Sequence, residues 1–129
     1  MDASKLATIP MFASLGRREL DRVAGWADEV DVDAGQTLIE EGRPAYEFFV
    51  IVEGTARVLV GDEEVRVMGP GEFFGEIGLS GHEPRTASVV ADTAMCVAVM
   101  FEREFHQMGE EMPEVCEQIS AAVHARRPG

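Results

Sequence analysis

Apolar and polar positions change their rhythm twice along the chain. Over the first thirty residues Leu15, Leu20, Val23, Ala24, Ala27 and Val30 recur at roughly helical spacing, with Ser14 where an N-cap belongs, which predicts a helix that Trp26 packs onto the rest of the chain. From about Val30 glycines arrive in quick succession, from Gly35 through Gly42, Gly54, Gly61 and Gly69 to Gly81. Glycines at that density mark turns between short strands. The runs QTLIEEG, YEFFVIVEG, TARVLVG, EEVRVMG and TASVVADTAMCVAVM are rich in Val, Ile, Phe and Thr and predict strands of an antiparallel barrel or sandwich over about residues 30–100. TARVLV, GDEE and VRVM predict a hairpin whose polar residues face outward and apolar ones inward. After Met100 the helical spacing returns with Phe101, Phe105 and Met108. Pro113 then opens a second helix with Met112, Val115, Ile119, Ala122 and Val123 as its apolar stripe.

With 129 residues and neither a linker nor a repeat, the expected organisation is one domain, residues 1–129: a helical part over about 1–29, the β part over 30–100 and helices over 101–127. A composition of 46% hydrophobic and 27% charged residues is that of a globular chain. Its formal net charge of −13 repels phosphate backbones and anionic lipid, so direct binding to nucleic acid or membrane is not expected. No basic leader and no 18-residue apolar run occurs, which predicts a cytoplasmic protein. Cys96 and Cys116 are isolated; they read as free thiols, with one disulfide between them left open.

The segment FFGEIGLSGHEPRTASV, residues 73–89, holds more than a strand needs. Gly75 and Gly78 leave the backbone open to close approach, and amides at the start of a turn there converge on one point, which is how backbone binds phosphate. Arg85 supplies a guanidinium suited to a bidentate grip on phosphate, and Pro84 stiffens its approach. A carboxylate at Glu76 would repel phosphate, but it fits a sugar hydroxyl one group away. Phosphate, ribose and an apolar wall imply a nucleotide. One arginine without a lysine, a metal ligand or a GxxxxGK[ST] motif implies a compact monophosphate.

These residues resemble the phosphate-binding cassette of cyclic nucleotide-binding domains, with their Phe-Gly-Glu opening, apolar pair, short loop and Arg-Thr-Ala close. The likeness extends to DAGQTLIEEGRPAYEFFVIVEGTARV and GPGEFFGE and covers about residues 8–125. It implies a mainly β fold, an antiparallel β-roll of the jelly-roll type (a double-stranded β-helix), with an N-terminal helix and two C-terminal helices, the last a lid over the base. It implies Glu76 as acceptor of the ribose 2′-hydroxyl and Arg85 as phosphate clamp. Backbone amides near Gly75, Gly78, Leu79 and Ala87 would complete the cradle, Ile77 would belong to its apolar pair, and Thr86 would lend a hydroxyl. Thr86 either contacts phosphate alone or reads the guanine amino group; cAMP is placed ahead of cGMP. Gly78 stands where many members have alanine, and the last helix lacks an aromatic cap for the purine, leaving Val123, His124 or Arg127 as candidates.

The expected function is therefore a non-enzymatic sensor that binds cyclic nucleotide, needs no metal or other cofactor, and controls an unidentified effector protein or domain, with homodimerisation open. Two alternatives are a degenerate roll that only mediates protein contacts and a cupin-type metalloenzyme. The second lacks clustered histidines: His82, His106 and His124 are scattered singly.

Overall fold

The structure, a computed structural model, describes residues 1–75 and 84–126, with side chains to residue 122. Short helix α1 (Ala3–Leu6) and a 3-10 turn at Pro10–Phe12 precede helix α2 (Arg17–Trp26). Eight strands come next: β1 (Asp28–Val32), β2 (Thr37–Ile39), β3 (Glu47–Glu53), β4 (Ala56–Val60), β5 (Glu63–Met68), β6 (Phe73–Phe74), β7 (Ser88–Ala91) and β8 (Met95–Phe101). Helices α3 (Glu102–Glu111) and α4 (Pro113–Arg126) close the described chain. No helix among the described residues is long and apolar enough to cross a membrane.

The strands form two antiparallel four-stranded sheets, ordered β1-β8-β3-β6 and β2-β7-β4-β5. Successive strand residues point to opposite faces, and in the first sheet β3, β6 and β8 are buried on both, whereas the edge strand β1 is exposed except at Val32. On one face Phe48, Val50, Phe73, Ala98 and Met100 meet the helices. On the other, Phe49, Ile51, Phe74, Val97 and Val99 meet Ile39, Ala56, Met68, Val89 and Ala91 of the second sheet. Two-sided burial accounts for the continuous apolar runs FFVIV and MCVAVM, which a half-exposed strand would not carry. The paired phenylalanines divide accordingly: Phe49 stacks on Phe74 inside the roll at 4.8 Å, while Phe48 meets Phe105 of α3 at 4.7 Å outside it. This is the mainly antiparallel β fold with flanking helices that the residues predict.

Three local expectations are corrected. The helical spacing read from Leu15 to Val30 spans two elements, because α2 starts after an N-cap at Gly16 rather than Ser14 and ends at Trp26, while Val30 lies in β1. The β4–β5 hairpin turns at Gly61-Asp62 as expected, with Val60 paired to Glu63, but the facing of β5 is inverted. Val65 and Val67 are 54% and 52% exposed, whereas Met68 is buried and Arg66 turns to Glu72 in an ion pair. Burying Met68 and satisfying Arg66 decide the register here, and alternate residues must then face out. Finally, Phe101 ends β8 and caps α3 from outside the helix, with half its surface exposed.

The apolar stripe of α4 is used within the chain: Met112, Val115 and Ile119 are buried in the helix-side core, with Ala122 packed against it. Pro113 opens that helix where its missing N–H costs nothing.

Candidate functional site

Arg85 is the buried charged residue among the described residues, 9% exposed at the approach to β7. An unpaired buried guanidinium would be costly, and the fold supplies oxygen acceptors. Nη1 donates to the carbonyl oxygen of Gly75 at 2.7 Å and Nη2 to that of Glu47 at 2.6 Å. The main chain is tied down as well. Arg85 N–H donates to the carbonyl of Arg43 at 2.8 Å, Gly42 N–H donates to the carbonyl of Arg85 at 2.9 Å, and Pro44 and Pro84 form an isolated antiparallel bridge. The loop between β2 and β3 is thus laced to Pro84 and Arg85, and Ser88 extends the lacing by accepting from the Glu41 N–H at 2.9 Å.

Gly75 is required by geometry. Its φ is +93°, and a Cβ there would stand 2.7 Å from the Glu47 carbonyl oxygen and 3.4 Å from Nη1 of Arg85. The left-handed φ and the Glu47 carbonyl oxygen, rather than the arginine itself, require glycine here.

Beside Arg85 opens a cavity of about 260 Å³, walled by β2, Glu40, Arg43, Pro44 and Glu47. Arg43 and Glu40 form an exposed ion pair at 3.5 Å on its rim. Opposite charges share this lining, so the site combines a rigidly held guanidinium with an adjustable outer pair.

Of the residues predicted from sequence, Gly75 and Arg85 meet in space, Thr86 is exposed next to the clamp, and Ala87 is partly buried where β7 begins. Glu76, Ile77, Gly78 and Leu79 lie outside the described residues, as do the side chains of Val123 and His124 and the whole of Arg127. Sequence reasoning missed Glu47 and Arg43. Glu47 acts through its carbonyl, which leaves no side-chain signature. Arg43 stood legible in the GRP triplet between two strands, but nothing in one dimension places it beside Arg85.

A second group of polar side chains, Glu29, Asp31 and Cys96, has ligand atoms within 4.8 Å of one another. Lys5 donates to Glu29 at 2.6 Å, and burial, then the neighbouring Glu29 carboxylate, push the Cys96 thiol above its ordinary value. A thiol held in its protonated form is a poor metal ligand. Both cysteines are free, Cys96 buried and Cys116 exposed.

The chain is similar to proteins that carry the same fold. It is 32% identical over 124 residues to a cyclic nucleotide-gated potassium channel of Rhizobium etli, covering 96% of this chain and 35% of the channel. It is 39% identical over 95 residues to a cAMP-dependent protein kinase regulatory subunit of Aspergillus fumigatus, covering 72% of this chain and 23% of that protein. The chain therefore spans about a third or less of the length of these relatives. Among solved structures, the regulatory domain of Toxoplasma gondii PKA in complex with cAMP superposes with a TM-score of 0.79 over 95% of this chain and 48% of that one, at 23% identity. The family model of the cyclic nucleotide-binding domain matches residues 29–111, well over half the chain. With the two-sheet roll, the flanking helices and the buried arginine beside its open cavity, this chain belongs to the cyclic nucleotide-binding domain family.

Proposed function

We propose that this chain is a regulatory sensor that binds a cyclic nucleoside monophosphate at Arg85 and passes the event to its C-terminal helices. One observation carries the reading most directly: a buried arginine, oriented by the carbonyls of Gly75 and Glu47, fronts a cavity in a chain of this family. Such a preset fork matches a phosphate's paired oxygens at little entropic cost. In this reading Glu76 accepts the ribose 2′-hydroxyl, backbone amides near Gly75, Gly78, Leu79 and Ala87 cradle the phosphate, Ile77 lines the apolar side, and Thr86 lends its hydroxyl. Residues 1–129 act as one domain, with no chemistry of their own and no metal, and cAMP is the preferred ligand. The free thiols are in keeping with a reducing, cytoplasmic setting.

The route outward also has support. Glu47, which takes Arg85 through its carbonyl, pairs with Phe101 at the end of β8, and the Glu102 N–H that opens α3 donates to the Tyr46 carbonyl at 3.0 Å. A ligand that pulls on Arg85 therefore acts on the strand end to which α3 is anchored, and α3 leads into α4. The change can be no larger than the ligand's differential affinity for the two helix positions. The effector that reads it is a further protein or domain.

Calorimetric titration with cAMP and cGMP in parallel tests the proposal. Heat with either, lost in Arg85→Ala, is the expected result; heat with neither overturns it. In thermal unfolding, ligand at 100 times its dissociation constant should stabilise the protein by about 2.7 kcal/mol.

A further inference from the structure

Arg43 stands on the rim of the cavity that Arg85 enters, 74% exposed at its side chain and facing Glu40 at 3.5 Å. Its position is not accidental to that site. The Arg43 carbonyl accepts the Arg85 N–H, and the residues on either side, Gly42 and Pro44, are bonded or bridged to Arg85 and Pro84. The two arginines thus ride on one laced piece of backbone, one guanidinium buried and the other at the mouth. The only described carboxylates on the same lining are Glu40 and Glu47.

We infer that Arg43 is a second, solvent-facing cation for the anionic ligand of this cavity, and that Glu40 is the counter-charge it leaves when the ligand arrives. The inference rests on the cyclic nucleotide reading and adds a residue to it. The division of labour comes from burial. A guanidinium held by carbonyls acts through geometry, whereas an exposed one acts through Coulomb attraction that water and salt weaken. Arg43 therefore contributes chiefly to the rate of capture, since exposed rim charges alter association more than residence time. In a chain of net charge −13 such a local cation has a task, because an approaching anion must be drawn through a repulsive field.

The test measures binding and association of cAMP, with uncharged adenosine as control, to the unsubstituted protein and to Arg43→Ala, Arg43→Glu, Glu40→Gln and Arg18→Ala. Arg18 is an exposed arginine on α2 outside the cavity and controls for net charge. At an ionic strength of about 0.01 M, where the Debye length is about 30 Å, R43A should weaken cAMP binding about 1.5- to 5-fold through a slower on-rate. R43E should weaken it by about the square of that factor, and E40Q should strengthen it. All three effects should fade at about 1 M salt, where the Debye length is about 3 Å, and adenosine should not register them. If R43E binds cAMP as the unsubstituted protein does at low salt, while Arg85→Ala fails to bind, the inference is overturned and the cyclic nucleotide reading stands. If R18A slows association as much as R43A, net charge alone is responsible and the inference also falls. If the unsubstituted protein binds neither cAMP nor cGMP, both fall together.

Discussion

Nη2 of Arg85 donates to the backbone carbonyl of Glu47 across 38 residues of sequence, at 2.6 Å. With the Gly75 carbonyl on Nη1, this bond makes the arginine both a structural tie and the proposed anion clamp. Arg85→Ala should therefore show two losses. Removing the donor takes a hydrogen bond from each of two carbonyls, at a cost of about 1–3 kcal/mol in chemical denaturation. Affinity for cyclic nucleotide should fall by about 2–5 kcal/mol, roughly 30-fold to several thousandfold in calorimetry. Unchanged affinity in a folded variant would remove Arg85 from the site.

Gly75 and Gly54 make a matched pair of backbone tests. Both have φ near +90°, and a Cβ on either meets a carbonyl oxygen, that of Glu47 at 2.7 Å for Gly75 and that of Ala94 at 2.4 Å for Gly54. Each Gly→Ala change should destabilise the fold by at least the roughly 1–2 kcal/mol of a left-handed alanine. Only Gly75→Ala should also weaken ligand binding, because its methyl displaces the acceptors that aim Arg85. Gly35→Ala, at φ +86° with nothing within 4 Å, should be the mildest of the three. Equal binding by the Gly54 and Gly75 variants would refute the distinction.

Phe48 is fully buried between the roll and α3, with Phe105 at 4.7 Å and Phe73 at 5.7 Å. Truncation to alanine should cost about 3–5 kcal/mol in equilibrium unfolding. Phe105→Ala opens the same contact from the helix side and should loosen α3 first, which amide hydrogen exchange along residues 102–111 would register as lost protection.

The two thiols should react at very different rates. Cys116 is exposed, while burial holds the Cys96 thiol above its ordinary value and its sulfur away from solvent. At pH 8 a thiol reagent should modify one cysteine promptly and the second only on unfolding. The linkage has a definite sign. The raised value means that the folded state favours the neutral thiol, so its contribution is complete below the unfolded thiol's value and is lost as pH rises through the folded one. Cys96→Ser should remove that part of the alkaline decline in stability.

Thr86 is the exposed neighbour of the proposed clamp, and its substitution tests whether base preference is read there. If its hydroxyl meets the guanine amino group, Thr86→Ala should reduce cGMP affinity by the roughly 0.5–1.5 kcal/mol of one hydrogen bond while leaving cAMP nearly unaffected. Equal losses for both nucleotides in parallel titrations would assign the hydroxyl to phosphate alone.

Much of this molecule is decided by its residues taken in order. The glycine-punctuated β-branched runs determine an all-antiparallel roll, Pro113 determines where the last helix starts, and the FGE…RTA register is what singles out residues 73–87 as the proposed anion-binding stretch. Those features are local: turn conformation, helix capping and side-chain chemistry act over a few residues. The facing of β5 is different, because alternation alone cannot say which set of side chains faces inward; the burial of Met68 and the pairing of Arg66 with Glu72 decide it. Tertiary structure alone decides that Glu47 orients Arg85 and that Arg43 shares its cavity. Both arise from a backbone carbonyl or a loop brought near by sheet pairing, and neither carries a side-chain signal that spacing along the chain can reveal.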